Sequence, residues 1–313
     1  MKKYGFGVDV GGTTCKIGFF ENSGNMLDKW EIKTNTENHG ASILDDIVAS
    51  LESKLADAGI SKDEVEGVGI GVPGPVKNDS VVCECVNLGW GTFDVAETLS
   101  EKIGLPVKVG NDANVAALGE MWKGGGQGCQ NGVMVTLGTG VGGGVVHDQK
   151  IVAGRHGLGG EIGHIHIREG EKETCNCGGH GCLEQVASAT GIAREARRKM
   201  AAKPDASVMR AYGDAITAKN VLDAAKAGDA LALEVMDTVC YYLGWALATI
   251  SMTVDPEIFV IGGGVSKAGT FLTDWIDRYY RELTPISENK GEVRLATLGN
   301  DAGIYGAARL ILD

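Results

Sequence analysis

The sequence predicts an α/β protein built on layered sheets, and three observations carry that prediction. Apolar runs of strand length alternate with segments whose apolar residues recur at helical spacing. Glycine, 48 of 313 residues, gathers at the ends of the predicted strands, where a flexible linker or a repeat protein would spread it differently. One arrangement, an apolar strand that ends in a glycine-threonine turn and doubles back, occurs twice. It appears as "YGFGVDV" (4–10) and "CKIGFF" (15–20) around "GGTT", then as "NGVMVTL" (131–137) and "GGGVVHD" (142–148) around "GTGV". An internally duplicated protein looks like this, and 313 residues exceed the length at which a single core usually stops growing, so two domains are expected.

Between the two hairpins, Ile43, Ile47, Leu51 and Leu55 predict a helix over 43–59, stopped by Gly59. A strand over 65–76 ends in the rigid turn Pro73-Gly74-Pro75. A helix near 93–103, a short strand over 107–111 and a helix from about 113 to 122 follow. The second half adds helices near 184–202, 217–227 and 229–253, a strand over 257–264 and a last helix over 302–311.

Charge narrows the partners. With 29 Lys plus Arg against 41 Asp plus Glu, the net charge of -12 repels a phosphate backbone, and "REARRKM" (194–200) is the one short basic run, read as a solvated helix face. No nucleic-acid partner is expected. The N-terminus enters a strand within a few residues and leaves no room for the apolar core of a signal peptide. The longest apolar stretch, 239–254, is shorter than the ~20 residues of a membrane span and reads as a buried core helix. A cytoplasmic protein without a membrane partner is therefore expected, and its eight cysteines are expected to be thiols or metal ligands, not a disulfide framework.

The glycine turns are the first candidate site. "DVGGTTCK" (9–16) lacks the spacing of a Walker loop and enters a strand, so it also fails the dinucleotide fingerprint. A glycine turn between strands still presents backbone N–H groups and threonine hydroxyls to phosphate oxygens, although an ordinary hairpin turn looks the same. Three such turns, the others being "LGTGVGGG" (137–144) and "IGGGVS" (261–266), together with Asp9 at the end of the first strand, suggest a nucleotide and Mg²⁺ held between two halves. Asp9 would hold the metal through water.

"GNDANVAALGE" (110–120) places Asn111 and Asp112 where a strand passes into a helix. Asp112 is either an N-cap, a role worth about 1 kcal/mol, or a general base; the residues alone leave both open. A strand over 162–167 would put Ile162 and His164 on one face. A histidine in an apolar strand is usually a core residue, but here Cys175, Cys177 and Cys182 follow, and a His plus three Cys set suits a tetrahedral Zn²⁺. Four ligands close the shell, which argues for a structural ion; a C-x-C redox pair and free thiols are the alternatives. His180 lies inside the loop but is not needed to complete the set. Cys15, Cys83, Cys85, Cys129 and Cys240 read as ordinary thiols.

The combination of "VDVGGTT", "GNDANVAALGE", "LGTGVGGG", "GEIGHI" and "CNCGGHGCLEQVAS" resembles the ROK family of sugar kinases and sugar-responsive repressors, from residue 5 to about 308. The resemblance implies the duplicated actin-like ATPase fold, ribonuclease H-like, with two domains and a cleft between them. Residues 1–112, completed by the C-terminal helix within 302–313, would form the first domain, and 113–301 a larger second one with the zinc loop. It implies ATP and Mg²⁺ at Asp9, Gly11, Gly12, Thr13, Thr14 and Lys16, at Gly138, Thr139 and Gly140, and at Gly262, Gly263 and Gly264. Asp112 becomes the base that takes the proton from the attacking sugar hydroxyl, and Asn111 binds a neighbouring hydroxyl. Glu161, Glu184 and the outer edge of His164 would bond the remaining hydroxyls, while a structural Zn²⁺ sits on His164, Cys175, Cys177 and Cys182.

The function implied is ATP-dependent phosphorylation of a hexose, glucose to glucose 6-phosphate first, with N-acetylmannosamine, N-acetylglucosamine and other hexoses as alternatives. A homodimer or homotetramer is expected. A sugar-responsive repressor is disfavoured because Asp9 already belongs to the phosphate turn, leaving no room ahead of it for a helix-turn-helix, and a sensor without catalysis is disfavoured because Asp9, Thr13 and Asp112 are all present.

Overall fold

In the computed structural model, which describes residues 2–312, the first hairpin forms where the pattern places it. β1 (Tyr4–Val10) and β2 (Thr14–Glu21) pair antiparallel, with Asp9 opposite Lys16 and Val10 opposite Cys15. β3 (Met26–Lys33) pairs with β2 and is absent from the sequence-based reading, because its charged residues make it look like a solvated loop. It is an edge strand, where such residues discourage pairing with other chains. One distorted turn, α1 (Glu37–Gly40), leads into α2 (Ile43–Ala58), which buries Ile43, Ile47, Leu51 and Leu55 and stops at the left-handed Gly59.

β4 (Val65–Val72) ends at the Pro73-Gly74-Pro75 turn, and β5 (Val76–Lys77), β6 (Val81–Val82) and β7 (Phe93–Asp94) form a small antiparallel sheet. α3 (Val95–Ile103) starts two residues later than expected because Asp94 caps it, its carboxylate accepting the Glu97 N–H at 2.9 Å. β8 (Val107–Asn111) then passes directly into α4 (Asp112–Lys123).

The second half opens with β9 (Gly132–Leu137), β10 (Val141–His147) and the short β11 (Lys150–Ile151). Where a strand was expected over 162–167, Ile162–His164 is a 3₁₀ turn, closed by the Ile165 N–H to the Ile162 carbonyl at 3.1 Å; extended pairing is limited to one bridge, His166 with Cys182. The expected helix over 184–202 is two helices, α5 (Glu184–Ala187) and α6 (Ala189–Ala202), broken at Ser188. Ser188 is extended and caps α6, its hydroxyl oxygen accepting the Gly191 N–H at 2.9 Å. α7 (Ala218–Lys226) and α8 (Ala230–Val254) follow. α8 has the length and composition to cross a membrane, yet 56% of its most apolar window is buried, and it packs on α5, α6, α7 and α9. β12 (Ile258–Gly262), α9 (Thr270–Leu283), β13 (Glu292–Leu295) and α10 (Ala302–Arg309) complete the chain. α9 and β13 escape the sequence reading: α9 buries Leu272, Ile276 and Tyr280, but exposed or half-buried aromatics on its other faces blur the stripe.

Two compact units result, the first made of Met1–Gly128, Gly144–Gly160 and Leu298–Asp313, the second of Cys129–Gly143 and Glu161–Thr297. The first division falls at Gly128 and not at residue 112, because α4 packs along α10, and α10 covers β1 and β4. The sheet of the first unit runs β3-β2-β1-β4-β8, with β1, β4 and β8 parallel. In the other five-stranded sheet, β11-β10-β9-β12-β13, strands β9, β12 and β13 are parallel neighbours, and β10, which the division crosses after Gly143, lies on the other side of β9. A hairpin followed by two parallel strands thus occurs once in each five-stranded sheet, which is the duplication the two glycine-threonine turns announced.

Candidate active site

In the first unit the parallel strands β1, β4 and β8 bring their carboxyl ends to one edge, the usual binding edge of an open α/β sheet. Asp9, the Pro73-Gly74-Pro75 turn and Asn111-Asp112 all sit there. The cap of α4 is Asn111: its Oδ1 accepts the Ala113 and Asn114 N–H groups at 3.0 and 3.2 Å, and its Nδ2 donates to the Gly74 carbonyl at 3.1 Å. The capping role proposed for Asp112 therefore falls to its neighbour. Asp112 occupies the first helical position, where its Oδ1 accepts the Ala113 N–H at 2.8 Å and the Asn111 amide at 3.0 Å, so the carboxylate is oriented at the positive end of α4.

Asp9 is half-buried, and burial raises its pKa from 3.8 to about 6; Lys16 opposes the rise and the Asp112 charge adds to it. Its carboxylate packs against Gly303 of α10 so closely that a Cβ there would stand 2.6 Å from Oδ2. Gly11 closes the turn with its N–H to the Thr14 carbonyl at 3.0 Å, while Gly12 and Thr13 are exposed. The Lys16 ammonium donates to the Asn300 carbonyl at 3.2 Å. The turn Val86–Leu88 joins this group, with Asn87 within van der Waals reach of a Cβ on Gly12, and Cys85 feels the Asp112 charge. The sequence offered "CVNLGW" only as a family likeness, because a three-residue 3₁₀ turn has no periodicity to read.

In the second unit, β9 and β12 end side by side, and the turns that follow them, Gly138-Thr139-Gly140 and Gly262-Gly263-Gly264, border a cavity of about 530 Å³. Gly138, Thr139 and Gly264 line it directly. The break at Ser188 serves this site, since it lets the Ala189 N–H reach the Gly138 carbonyl at 2.8 Å. Ala189, Ala218, Leu222, Val265 and Ala268 give the cavity an apolar lining, and Lys226 and Lys267 stand at it together with Lys219, which is paired with Asp223 at 2.6 Å. An apolar slot edged by cations and glycine turns suits a nucleotide. Sequence reasoning missed the α7 residues because they carry no motif; their one signal is the capping box of Thr217 and Asn220 that starts the helix.

The loop beyond His164 gathers the remaining candidates. The ligand atoms of His164, Cys175, Cys177 and Cys182 lie within 4.8 Å of one another. Cys175 Sγ is 3.7 Å from His164 Nδ1, and Cys177 Sγ is 3.6 Å from Cys182 Sγ. A tetrahedral zinc with the usual bond lengths has S···S edges of about 3.7 Å and S···N edges of about 3.5 Å, so these two contacts already have the spacing such an ion needs. Burial pushes the Cys182 thiol up to about 12, whereas the Gly179 N–H holds Cys177 below its ordinary value. With Nδ1 turned to the sulfurs, His164 Nε2 faces the other way, 3.9 Å from the exposed Glu161 carboxylate.

Glu184, at the start of α5, accepts the Val141 N–H at 3.0 Å through Oε2, and its Oε1 lies 3.9 Å from Cys175 Sγ. Gly140 has no Cβ because Glu184 occupies that space. A second cavity, of about 330 Å³, runs from Thr139 and Gly140 past Cys175, Glu184 and Ser188 to Arg194. Within this unit the Gly138-Thr139-Gly140 turn, the cysteine loop and Glu184 are thus contiguous.

A family model described as ROK family matches residues 5–313. The glucokinase of Halalkalibacterium halodurans is 46% identical over 309 residues, 97% of this chain and 94% of that protein. The crystal structure of a ROK family glucokinase from Streptomyces griseus in complex with glucose and AMPPNP is 35% identical, covers 98% of this chain and 99% of that one, and superposes with a TM-score of 0.73. That of the ROK hexokinase from Thermus thermophilus is 30% identical, with coverages of 97% and 96% and a TM-score of 0.81. Matches that span both partners almost end to end, in sequence and in fold, settle the descent of the two glycine-turn units and the cysteine loop together: this chain belongs to the ROK family.

Proposed function

We propose that this protein transfers the γ-phosphoryl group of ATP to a hexose, glucose above all, giving glucose 6-phosphate and ADP. The observation that carries the reading is the 46% identity, over almost the whole chain, to a glucokinase, joined by a fold shared with a glucokinase solved with glucose and AMPPNP. Phosphoryl transfer demands positioning and charge stabilisation more than covalent chemistry, and the residues supply both. Asp112 takes the proton of the attacking hydroxyl, held in place by the Ala113 N–H and the Asn111 amide. The hydroxyl oxygen forms its bond to the γ-phosphorus as the bond to the ADP oxygen breaks. Asn111, Glu161, Glu184 and His164 Nε2 are the partners of the other sugar hydroxyls.

The cavity of the second unit receives the nucleoside, with Gly138, Thr139, Gly140 and Gly262–Gly264 facing its phosphates, and the Gly11–Thr14 turn with Lys16 is the phosphate turn of the first unit. Mg²⁺, when bound, neutralises phosphate charge, and Asp9 is the carboxylate placed to hold it through water. The His164–Cys175–Cys177–Cys182 set fits a structural Zn²⁺, and its role is to fix the loop that carries His164 at one end and leads to Glu184 at the other. A cytoplasmic homodimer or homotetramer with no nucleic-acid or membrane partner completes the proposal.

The test is a panel of hexoses and N-acetylhexosamines with Mg-ATP. Glucose should give ADP and a sugar phosphate with the highest kcat/KM. Measurable sugar binding with no ADP from any sugar overturns the kinase reading, and a preference for an N-acetylhexosamine moves the substrate within the family.

A further inference from the structure

Just ahead of the cysteine loop, four charged side chains close a ring. Arg168 donates to both oxygens of Glu195, at 2.7 and 3.0 Å; Glu195 also accepts from Arg198 at 3.2 Å. Arg198 donates to both oxygens of Glu171, at 2.7 Å each, and Glu171 lies 3.7 Å from Arg168. Charges therefore alternate around the ring, and two of its sides are the bidentate pairs that planar guanidinium geometry favours. Three of its members are largely out of water, the side chains of Glu171, Glu195 and Arg168 being 2%, 7% and 15% exposed, while Arg198 at 36% reaches the surface. Arg168 also stacks on the Tyr242 ring of α8, 4.9 Å from its centroid. Hydrogen bonding to Arg198 holds the Glu171 carboxyl down at about 2, so that carboxylate stays charged across the range in which a kinase is assayed.

The ring leads to the loop through one short relay. Arg198 reaches Glu173 at 2.8 Å, the Glu173 carbonyl accepts from the Gln185 amide at 2.9 Å, and Gln185 Oε1 accepts the Cys182 N–H at 3.2 Å. Gln185 is the residue after Glu184. Burying three of these four charges is a poor way to gain stability alone, since well-packed apolar side chains of similar volume serve as well or better. What fixed bidentate pairs add is one register between the segments that carry them, here 168–173 and α6.

We propose that the Arg168–Glu195–Arg198–Glu171 ring is a positioning device that sets the cysteine loop against α5 and α6, and through it the placement of His164 and Glu184 toward the sugar. The proposal rests on the sugar and zinc roles assigned above. None of the four residues is among those assigned above to the sugar or the metal.

The experiment uses the full-length holoprotein with Glu195→Gln, which removes the bidentate charged partner of the Arg168 guanidinium and leaves it only Glu171, 3.7 Å away. The glucose KM should rise and zinc should pass to a chromogenic chelator faster, each about tenfold, the scale seen when partners of metal ligands are removed, while kcat and the ATP KM stay within about threefold. Glu195→Asp, which keeps the charge but is one methylene too short to bond both nitrogens, should show a smaller change in the same two readouts, and it keeps the test open if the glutamine variant does not fold. A lower melting temperature with unchanged glucose KM and unchanged zinc release overturns the proposal and leaves the ring a purely structural element. A wild-type protein without zinc refutes the metal reading instead; the glucose KM of the variants then decides the ring alone, an unchanged value overturning it and a rise supporting it.

Discussion

Asp9→Asn tests the electrostatics of the first unit most directly. Asp9 titrates at about 6 in the folded protein, mainly because burial penalises its charged form, against an ordinary 3.8. A raised carboxyl pKa means the folded state binds the extra proton between the two values, so stability falls as pH climbs from about 4 to about 6 and is level above. The difference between 3.8 and about 6 corresponds to about 3 kcal/mol of penalty at pH 8, and to about 1.5 kcal/mol at pH 5, where the folded carboxyl is mostly protonated. Asparagine carries no charge at either pH. In urea melts without nucleotide or Mg²⁺, the stability of Asp9→Asn relative to wild type should therefore rise by about 1.5 kcal/mol between pH 5 and pH 8. Thiol protonation in the cysteine loop affects both proteins equally and cancels in the difference. The same variant should lose stabilisation by Mg-ATP, since the carboxylate that repays its burial by holding the metal is gone. A difference that does not change with pH, or one that falls, would refute the reasoning: Asp9 would then be ionised at ordinary cost and not poised for a cation.

The other expectations concern neighbouring parts of the site. Asp112→Asn should bind glucose in calorimetry nearly as wild type but lose about 10²–10⁴-fold in kcat, and turnover within tenfold of wild type removes the base assignment. Gly303→Ala, whose Cβ would stand 2.6 Å from Asp9 Oδ2, should cost about 1–3 kcal/mol in denaturant melts and raise the KM for Mg-ATP more than that for glucose; a neutral effect on both would mean Asp9 is not held as described. Elemental analysis after purification in metal-free buffer should find about one zinc per chain, the number a single closed set of four ligands holds, and full activity in a zinc-free preparation sinks the structural role.

Much of this was legible in the sequence because it was local. The spacing of Ile43, Ile47, Leu51 and Leu55 names both a helix and its buried face, and the structure buries those four residues. The repeated glycine-threonine turn revealed the duplication, and the ligand count of the cysteine cluster needed only chain spacing and donor chemistry. Local patterns failed where a neighbour decides. β3 is a strand because the edge of β2 is there to pair with, not because of its own charged residues. Residues 162–167 look extended by composition, yet hydrogen bonds close a 3₁₀ turn at Ile162–His164. The continuous helical pattern over 184–202 hides the break at Ser188, which exists so that Ala189 can reach the Gly138 carbonyl, some fifty residues away in the chain.

The candidate chemistry divides the same way. Which residues could be base, metal ligand or phosphate turn is a matter of side-chain type and of neighbours a few positions off, and one chain of letters contains that. Whether Asn111 or Asp112 caps α4 depends on backbone angles and on a carbonyl offered by Gly74. That Asp9 resists ionisation depends on burial beneath α10, nearly three hundred residues later in the chain, and the charge ring behind the cysteine loop needs α6 and α8 folded against residues 168–173. Desolvation and hydrogen-bond geometry act over a few ångströms of space, and only folding sets which residues share those few ångströms.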